Sequence, residues 1–584
     1  MSERKNNITM NRNLYLIITL FFLAELLINP IGEFPLNDDW AYTKMVHNSI
    51  IDKEIHSPQW GGSIFLIQLY IGVLISKIFG FSFTILRIIE ILFGIIGIVL
   101  IYQILLLVQN SSNLAMVGSI LFGMNPVYLS GTNSFHPDVP HIMFMLVSLY
   151  FFMKYFFYEK MYFYFTGILF AIIACGIKQT GIAIGFAFSV IYLFNFTINI
   201  KNIVTAIFPS FVLIVLILSY GYVRNNYNID LPGVAGYAMM KNIFMDSLFN
   251  TDFEDIKRIF FYSINTVLSL GFLVFPLTFP VVARVITIIN PKRSNIAILA
   301  LSLIVLTLII AIKVYLRGSQ GSLGGGIWYM PFVGSTIYDF GVGPIIMTGI
   351  EQNEIPGVFK AGIYFWFIVS VIGALGFISF IYLLSMSVGD LFSKNSFRLK
   401  NISLPFIFPL LIMFFSLIPY VIVFASAKYL ILYLPFMIIS TISSIEYLRK
   451  KYNISYLFNY KAIFILAIPI IIFGIFATHD YMSFHRIRWE ALNYLTENEK
   501  IPVEKIDGGF EFNEWHLSHF YTWKMTDDPN KKGRFWPVVD DEYIVTVTEI
   551  EGYEIYKQFK YKRWLPPGKH NINVLRRTTR QKNS

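Results

Sequence analysis

Long apolar stretches with few charges recur along this chain, near residues 13–31, 84–108, 112–131, 140–158, 161–177, 179–197, 203–222, 262–287, 296–315, 360–386, 403–425, 430–447 and 461–478. A bilayer's hydrocarbon core is about 30 Å thick, and roughly twenty apolar residues of helix cross it. No water pairs with the backbone there, so each such run must satisfy its own N–H and C=O groups as a helix. Roughly thirteen such runs define an all-α polytopic membrane protein. Composition agrees, with 55% hydrophobic and only 14% charged residues among 584, which excludes a soluble globular domain. The net charge of +10 would suggest nucleic acid in a soluble chain. Here the basic residues fall mostly in short loops between apolar runs, where orientation in the bilayer explains them, and no nucleic-acid partner is expected. Cys175 is the only cysteine, which rules out a disulfide framework or a cysteine-based metal site. The first run has no small-residue cleavage site after it and is long enough to span, so it reads as a retained helix.

One further run, 62–80 ("GSIFLIQLYIGVLISKIFG"), decides sidedness, because counting it as a span reverses every later loop. If it does not cross, the N-terminus shares one side with Lys154, Lys160, Lys201, Lys292, Arg293, Lys394, Arg398, Lys400, Arg449, Lys450 and Lys451. Positive residues concentrate on the cytoplasmic side, so 62–80 is expected to be an interfacial or re-entrant helix and the N-terminus cytoplasmic. The protein is then a multi-pass plasma-membrane protein with four long or polar loops outside: 32–83, 223–261, 316–359 and the tail. At His479 the composition shifts to charged residues and Gly/Pro turns, with a short alternating run at "EYIVTVTEI". Two domains are therefore expected, a membrane domain over 1–478 and a small extracytoplasmic α/β domain over 479–584. The glycine-rich "GSQGSLGGG" (Gly318 to Gly326) follows no strand and lacks a Lys-Ser/Thr ending, so it reads as a substrate-gating loop rather than a phosphate loop.

Chemistry should concentrate in those outer loops. "NDDWAY" places Asp38 and Asp39 side by side just past the first span. Adjacent carboxylates repel, which suits one of them to act as a general base while the other orients it or holds a cation; the plain alternative is a helix N-cap. "TNSFHPDVP" adds His136 and Asp138 between the third and fourth spans, again with a cap as the alternative. Asp38, Asp39, His136 and Asp138 form a chemically admissible divalent-metal set, although without a tight ligand spacing. Lys178 in "CGIKQTG" and Lys428 with Tyr429 in "FASAKYLILYLP" break the positive-inside pattern. An anionic partner would account for both, and snorkelling to the interface is the alternative.

These motifs resemble the polytopic GT-C glycosyltransferases, in particular the protein O-mannosyltransferases and the aminoarabinose transferases of lipid A. The family's "D-[DE]-x-x-Y" corresponds to Asp38, Asp39 and Tyr42, and its interfacial helix and following arginine to "KIFG" and Arg87. Its second acidic motif corresponds to "HPDVP", its "K-x-x-G" to "KQTG" and its "RY…P" to "KYLILYLP". Lys428 stands where the family has Arg, and His56 where it often has Lys or Arg ahead of the proline. The resemblance implies a GT-C fold and a transferase of hexosyl or pentosyl groups. The donor would be a polyprenyl-phosphate-linked sugar and the acceptor a hydroxyl on lipid, glycan or protein. It implies Asp38 as base, Asp39 and Asp138 shaping the acceptor or a metal, and Lys178 and Lys428 with Tyr429 neutralising the donor phosphate. Tyr42, His56 and His136 complete the expected site. A transporter or flippase is the competing class, since charges near the membrane can mark a substrate path. Trp489, Trp515 and Trp523 in the tail suit either sugar stacking or a small core.

Overall fold

The computed structural model describes residues 2–51, 60–109, 111–226, 234–289, 341–350, 361–393, 404–454, 458–518 and 541–578, with scattered positions between 304 and 358 and at 538. In chain order the helices are α1 (Ser2–Ile28), α2 (Asp39–Ile51), α3 (Leu66–Phe79), α4 (Phe83–Val108), α5 (Ser112–Gly123), α6 (Pro126–Thr132), α7 (Asp138–Tyr158), α8 (Met161–Ile177), α9 (Ile182–Asn195), α10 (Ile200–Asn226), α11 (Val234–Phe249) and α12 (Phe253–Ile289). There follow α13 (Ile363–Ser393), α14 (Leu404–Val423), α15 (Leu434–Lys451), α16 (Tyr460–Asn493) and α17 (Phe510–Leu517). His56, the Gly318–Gly326 loop, Trp523 and most of the run at 296–315 lie outside the described residues.

Among the described residues seven helices are long and apolar enough to cross a membrane, or eight if one bent pair counts as a single span. Seven of the roughly thirteen expected runs are thus seen as long apolar helices among the described residues, and one further run is bent. The run at 112–131 is α5 and α6, bent by 65°. The break has a local cause: Asn125 is extended and its side chain accepts from the N–H groups of Val127 and Tyr128, starting a new helix with Pro126 in its first turn. The runs at 161–177 and 179–197 form shorter apolar helices. At 14 residues, α3 is about 21 Å long, well short of the hydrocarbon core. Its start is fastened to the end of α8, where the Phe65 N–H donates to the Ile177 carbonyl at 2.8 Å and Gln179 donates to the Gly62 carbonyl at 2.8 Å.

The loop between α1 and α2 is held by a buried arginine. Arg87, near the start of α4, donates to the carbonyls of Asn133 (2.8 Å), Pro30 (2.6 Å), Gly32 (3.2 Å) and Phe34 (2.9 Å), and its guanidinium lies 5.1 Å from the Phe34 ring centroid. A planar five-donor fork suits such a cluster of backbone acceptors. Glu33 in the same loop caps α4, accepting from the Phe83 N–H at 2.9 Å and from the Ser82 hydroxyl at 2.7 Å.

The run of α16 extends past the change in composition at residue 479 without interruption. Beyond its apolar half it buries Asp480, Tyr481, Phe484, His485, Arg488, Trp489 and Leu492, a spacing of three and four that puts them on one face. After a two-stranded ribbon of β1 (Ile337–Tyr338) and β2 (Gly341–Val342), a four-stranded sheet sits against that face, in the order β3-β4-β6-β5, made of β3 (Ile506–Asp507), β4 (Tyr543–Thr546), β5 (Tyr553–Trp564) and β6 (Pro567–Arg577). Here β3 and β4 pair in parallel, and the other pairs are antiparallel. The tip of the β5–β6 hairpin is tied to α16, where the N–H groups of Trp564 and Leu565 each donate to Asp480 at 2.8 Å. The alternating run at "EYIVTVTEI" supplies β4, fully buried. The two longest strands, in the charged stretch after it, are not evident as strands in the sequence reading. Trp489 is buried and packs edge-on against Phe512, a core role.

Candidate active site

The site forms where the segments flanking α2, the α6–α7 loop and two lysine-bearing helix junctions meet. Asp38 immediately precedes α2. Its Oδ2 accepts from Lys428 Nζ at 2.7 Å, and its Oδ1 from the Trp60 indole N–H at 2.9 Å. Lys428 lies in the short turn of helix at Ala427–Leu432 between α14 and α15. Asp138, at the start of α7, holds Lys178 Nζ at 2.5 Å on Oδ1 and His136 Nδ1 at 3.0 Å on Oδ2. The Tyr429 ring stands between the two lysines, with Lys178 Nζ 4.4 Å and Lys428 Nζ 5.5 Å from its centroid; Tyr420 flanks Lys178 at 5.2 Å. Tyr42 packs edge-on against His136 at 5.2 Å. Each cation thus has both a carboxylate and an aromatic face, which offsets part of the cost of holding it near the membrane.

Electrostatics separate the two adjacent carboxylates. Burial pushes the Asp38 carboxyl up, but Lys428 and His136 outweigh burial and hold it below its ordinary value, so it is ionised at neutral pH. Burial also pushes the Lys428 ammonium down, and Asp38 reverses that and raises it well above the usual value. Burial lowers His136 despite Asp138 beside it. A neutral imidazole facing a carboxylate must place its proton on Nδ1, which donates to Asp138 and leaves Nε2 as an acceptor.

Asp39 sits in a different network from Asp38. It is 2% exposed. Its Oδ1 accepts the Leu36 N–H at 2.5 Å, and its Oδ2 accepts from the Ser134 hydroxyl at 3.1 Å and the Phe135 N–H at 3.3 Å. These bonds tie the α1–α2 loop to the α6–α7 loop and leave the carboxylate turned away from Asp38's partners. The proposed ion set of Asp38, Asp39 and His136 is not assembled: among the described residues no group of three His, Cys, Asp or Glu side chains is placed to hold a metal ion. Two carboxylates adjacent in sequence point into different networks because α2 begins between them.

Of the expected site residues, Asp38, Asp138, His136, Tyr42, Lys178, Lys428 and Tyr429 converge, and Asp39 supports them from behind. Trp60 and Tyr420 were not anticipated. A tryptophan next to two glycines in "QWGG" and a tyrosine after Pro419 in an otherwise apolar span are the signals that could have found them.

Fold and site together define a polytopic membrane protein with two lysine–aspartate pairs facing one another at the ends of its helices. Residues 66–221, about a quarter of the chain, match the family model described as dolichyl-phosphate-mannose-protein mannosyltransferase. The resemblance to GT-C glycosyltransferases therefore stands for this segment, which carries Arg87, His136, Asp138 and Lys178. Among solved structures, ArnT from Cupriavidus metallidurans bound to undecaprenyl phosphate is similar at 11% identity, with 96% of this chain and 97% of that chain covered and a TM-score of 0.38. A likeness at that level assigns no residue. No curated protein matches the chain.

Proposed function

We propose that this protein is an inverting membrane glycosyltransferase that moves a sugar from a polyprenyl-phosphate donor to a hydroxyl acceptor at the extracytoplasmic face. The observation that carries the reading is the joining of Asp38–Lys428 to Asp138–Lys178 through His136 and Tyr429 in one site. The family description over 66–221, which names a dolichyl-phosphate sugar donor, supports it.

The chemistry follows from the charges. The acceptor oxygen forms a bond to the anomeric carbon as the carbon–oxygen bond to the lipid phosphate breaks, and the acceptor's proton passes to Asp38. The departing phosphate gains charge, which Lys178 and Lys428 offset in a site partly shielded from water. In the resting state Lys428 keeps Asp38 a weak base. A donor phosphate that draws Lys428 away raises the basicity of Asp38 when base is needed, so donor binding readies the acceptor step. A single displacement of this kind inverts the anomeric centre. Positive-inside charge distribution supports the outward sidedness, and the tail from 479 onward would be the extracytoplasmic domain.

The test is transfer from undecaprenyl-phosphate-linked sugars by the purified full chain, read by mass spectrometry of donor and product. Asp38→Asn should lower the rate by about 10²-fold or more, and Lys178→Ala should weaken donor use. Transfer that survives both substitutions overturns the proposal.

A further inference from the structure

The base candidate is built from the far end of the sequence as much as from its own loop. Helix α17 carries Phe510 in its first turn, and the Phe510 ring meets Trp60 edge-on at 5.6 Å and Trp40 at 6.1 Å. Trp60 is the residue whose indole N–H donates to Asp38. The next residue, Glu511, is fully buried. Its Oε1 accepts the backbone N–H of Asn37 at 3.1 Å, and its Oε2 pairs with Arg488 of α16 at 2.7 Å. Asn37 stands at φ 47, a left-handed conformation that asparagine tolerates better than most non-glycine residues. It immediately precedes Asp38 in the chain. At the other end of α17, Lys44 of α2 donates to the Trp515 carbonyl at 2.7 Å and to the Ser518 hydroxyl at 2.9 Å, which caps the helix with a cation. Helix α17 is thus fastened at both ends, to Asn37 just before α2 and to Lys44 in the first half of α2.

We infer that α17 of the C-terminal domain sets the Asp38 carboxylate in place, Phe510 through the Trp60 indole and Glu511 through the Asn37 backbone, as positioning residues for the proposed transfer. The inference rests on that reading for its catalytic meaning, but the placement of Asp38 can be measured without substrate. The charged and titratable groups facing Asp38 are Lys428, His136 and Tyr42, with Asp138 reached through His136. None of them lies on α17, so an effect of α17 on Asp38 has to pass through Trp60 or Asn37.

A hydrophobic carbodiimide modifies carboxyls only when they are protonated, so the pH dependence of labelling at Asp38, resolved from Asp39 by tandem mass spectrometry of the full chain, reports how Asp38 is held. Phe510→Ala should raise the labelling midpoint by at least about half a pH unit, because the indole donor that favours the ionised form is no longer fixed. Trp60→Phe should give the same shift, and the double variant should add little to either alone. Phe510→Leu, which fills most of the volume, should recover part of it and guards against a variant that does not fold. With transfer as the readout, Phe510→Ala should lower kcat by about tenfold or more while KM for the lipid-linked donor moves less than about twofold. Unchanged labelling in both Phe510→Ala and Trp60→Phe, or additive shifts in the double variant, would overturn the inference. If instead Asp38→Asn keeps transfer while the labelling shift is present, α17 positions Asp38 and it is the transferase reading that fails.

Discussion

Asp38 and Asp39 are neighbours in sequence with opposite duties, and substitution should separate them. Asp39→Asn keeps one acceptor oxygen but removes a buried carboxylate that joins two loops. We expect a loss of about 1–3 kcal/mol of stability, seen as a lower thermal midpoint in detergent, with the pH dependence of transfer unmoved. Asp38→Asn should instead lower transfer by about 10²-fold or more, with a smaller fall in midpoint than Asp39→Asn because its pair with Lys428 is only partly buried. The ion pair with Lys428 makes a further prediction about pH. A depressed carboxyl contributes stability that is present above its unfolded value of about 3.8 and is lost as pH falls through the lower folded value. Activity that needs ionised Asp38 should therefore hold well below the ordinary carboxylate range. Lys428→Met removes the largest opposing charge and leaves burial, which raises the group. The acid limb of kcat/KM should move to higher pH, whereas Lys428→Arg keeps the charge and should keep the limb. A limb that stays in place in Lys428→Met would show that Asp38 is not the titrating base.

At the scale of helices, the close approach of α12 and α13 depends on glycine. A Cβ added at Gly376 would lie 2.0 Å from the Gly271 carbonyl oxygen, and one at Gly373 would lie 2.3 Å from the Leu268 carbonyl oxygen. Backbone atoms cannot turn aside as a side-chain tip can, and small residues are what allow membrane helices to pack this tightly. Gly376→Ala should cost about 1–3 kcal/mol or more, read as a lower thermal midpoint, while Gly221→Ala on α10, where nothing lies within 4 Å, should cost nothing. The helices themselves were legible because hydrophobicity alone makes them. Lys178 and Lys428 were legible because a cation at the wrong end of an apolar run demands a partner. The sharp bend at Asn125 was not evident, since apolar length says nothing about a local cap and proline. Strands β5 and β6 were obscured by their charges: "YEIYKQFKYKRW" reads as a solvated segment until the sheet it borders is known. The separate roles of Asp38 and Asp39 were beyond reach, because only the start of α2 between them decides which way each turns.

Across the whole molecule, the contact between α16, α17 and the α1–α2 loop couples the C-terminal sheet domain to the site, and its core is a buried ion pair. Arg488 and Glu511 both have fully buried side chains, at 2.7 Å, and Arg488 also donates to the Gly508 carbonyl. Taking two charges out of water costs nearly what their attraction returns, so such a pair is a weak source of stability; removing one partner is far worse, by about 3–5 kcal/mol, because it strands the other. Arg488→Met and Glu511→Leu should each lower the thermal midpoint sharply, and the double variant should regain much of the loss. If the pair served only to hold the fold, activity would return with stability. Glu511 also accepts the Asn37 N–H, however, and leucine cannot. The double variant should therefore refold to near-native thermal stability while remaining at least about tenfold slower in transfer, with donor KM little changed. Recovery of both together would mean that the domain contact stabilises the molecule without setting its base.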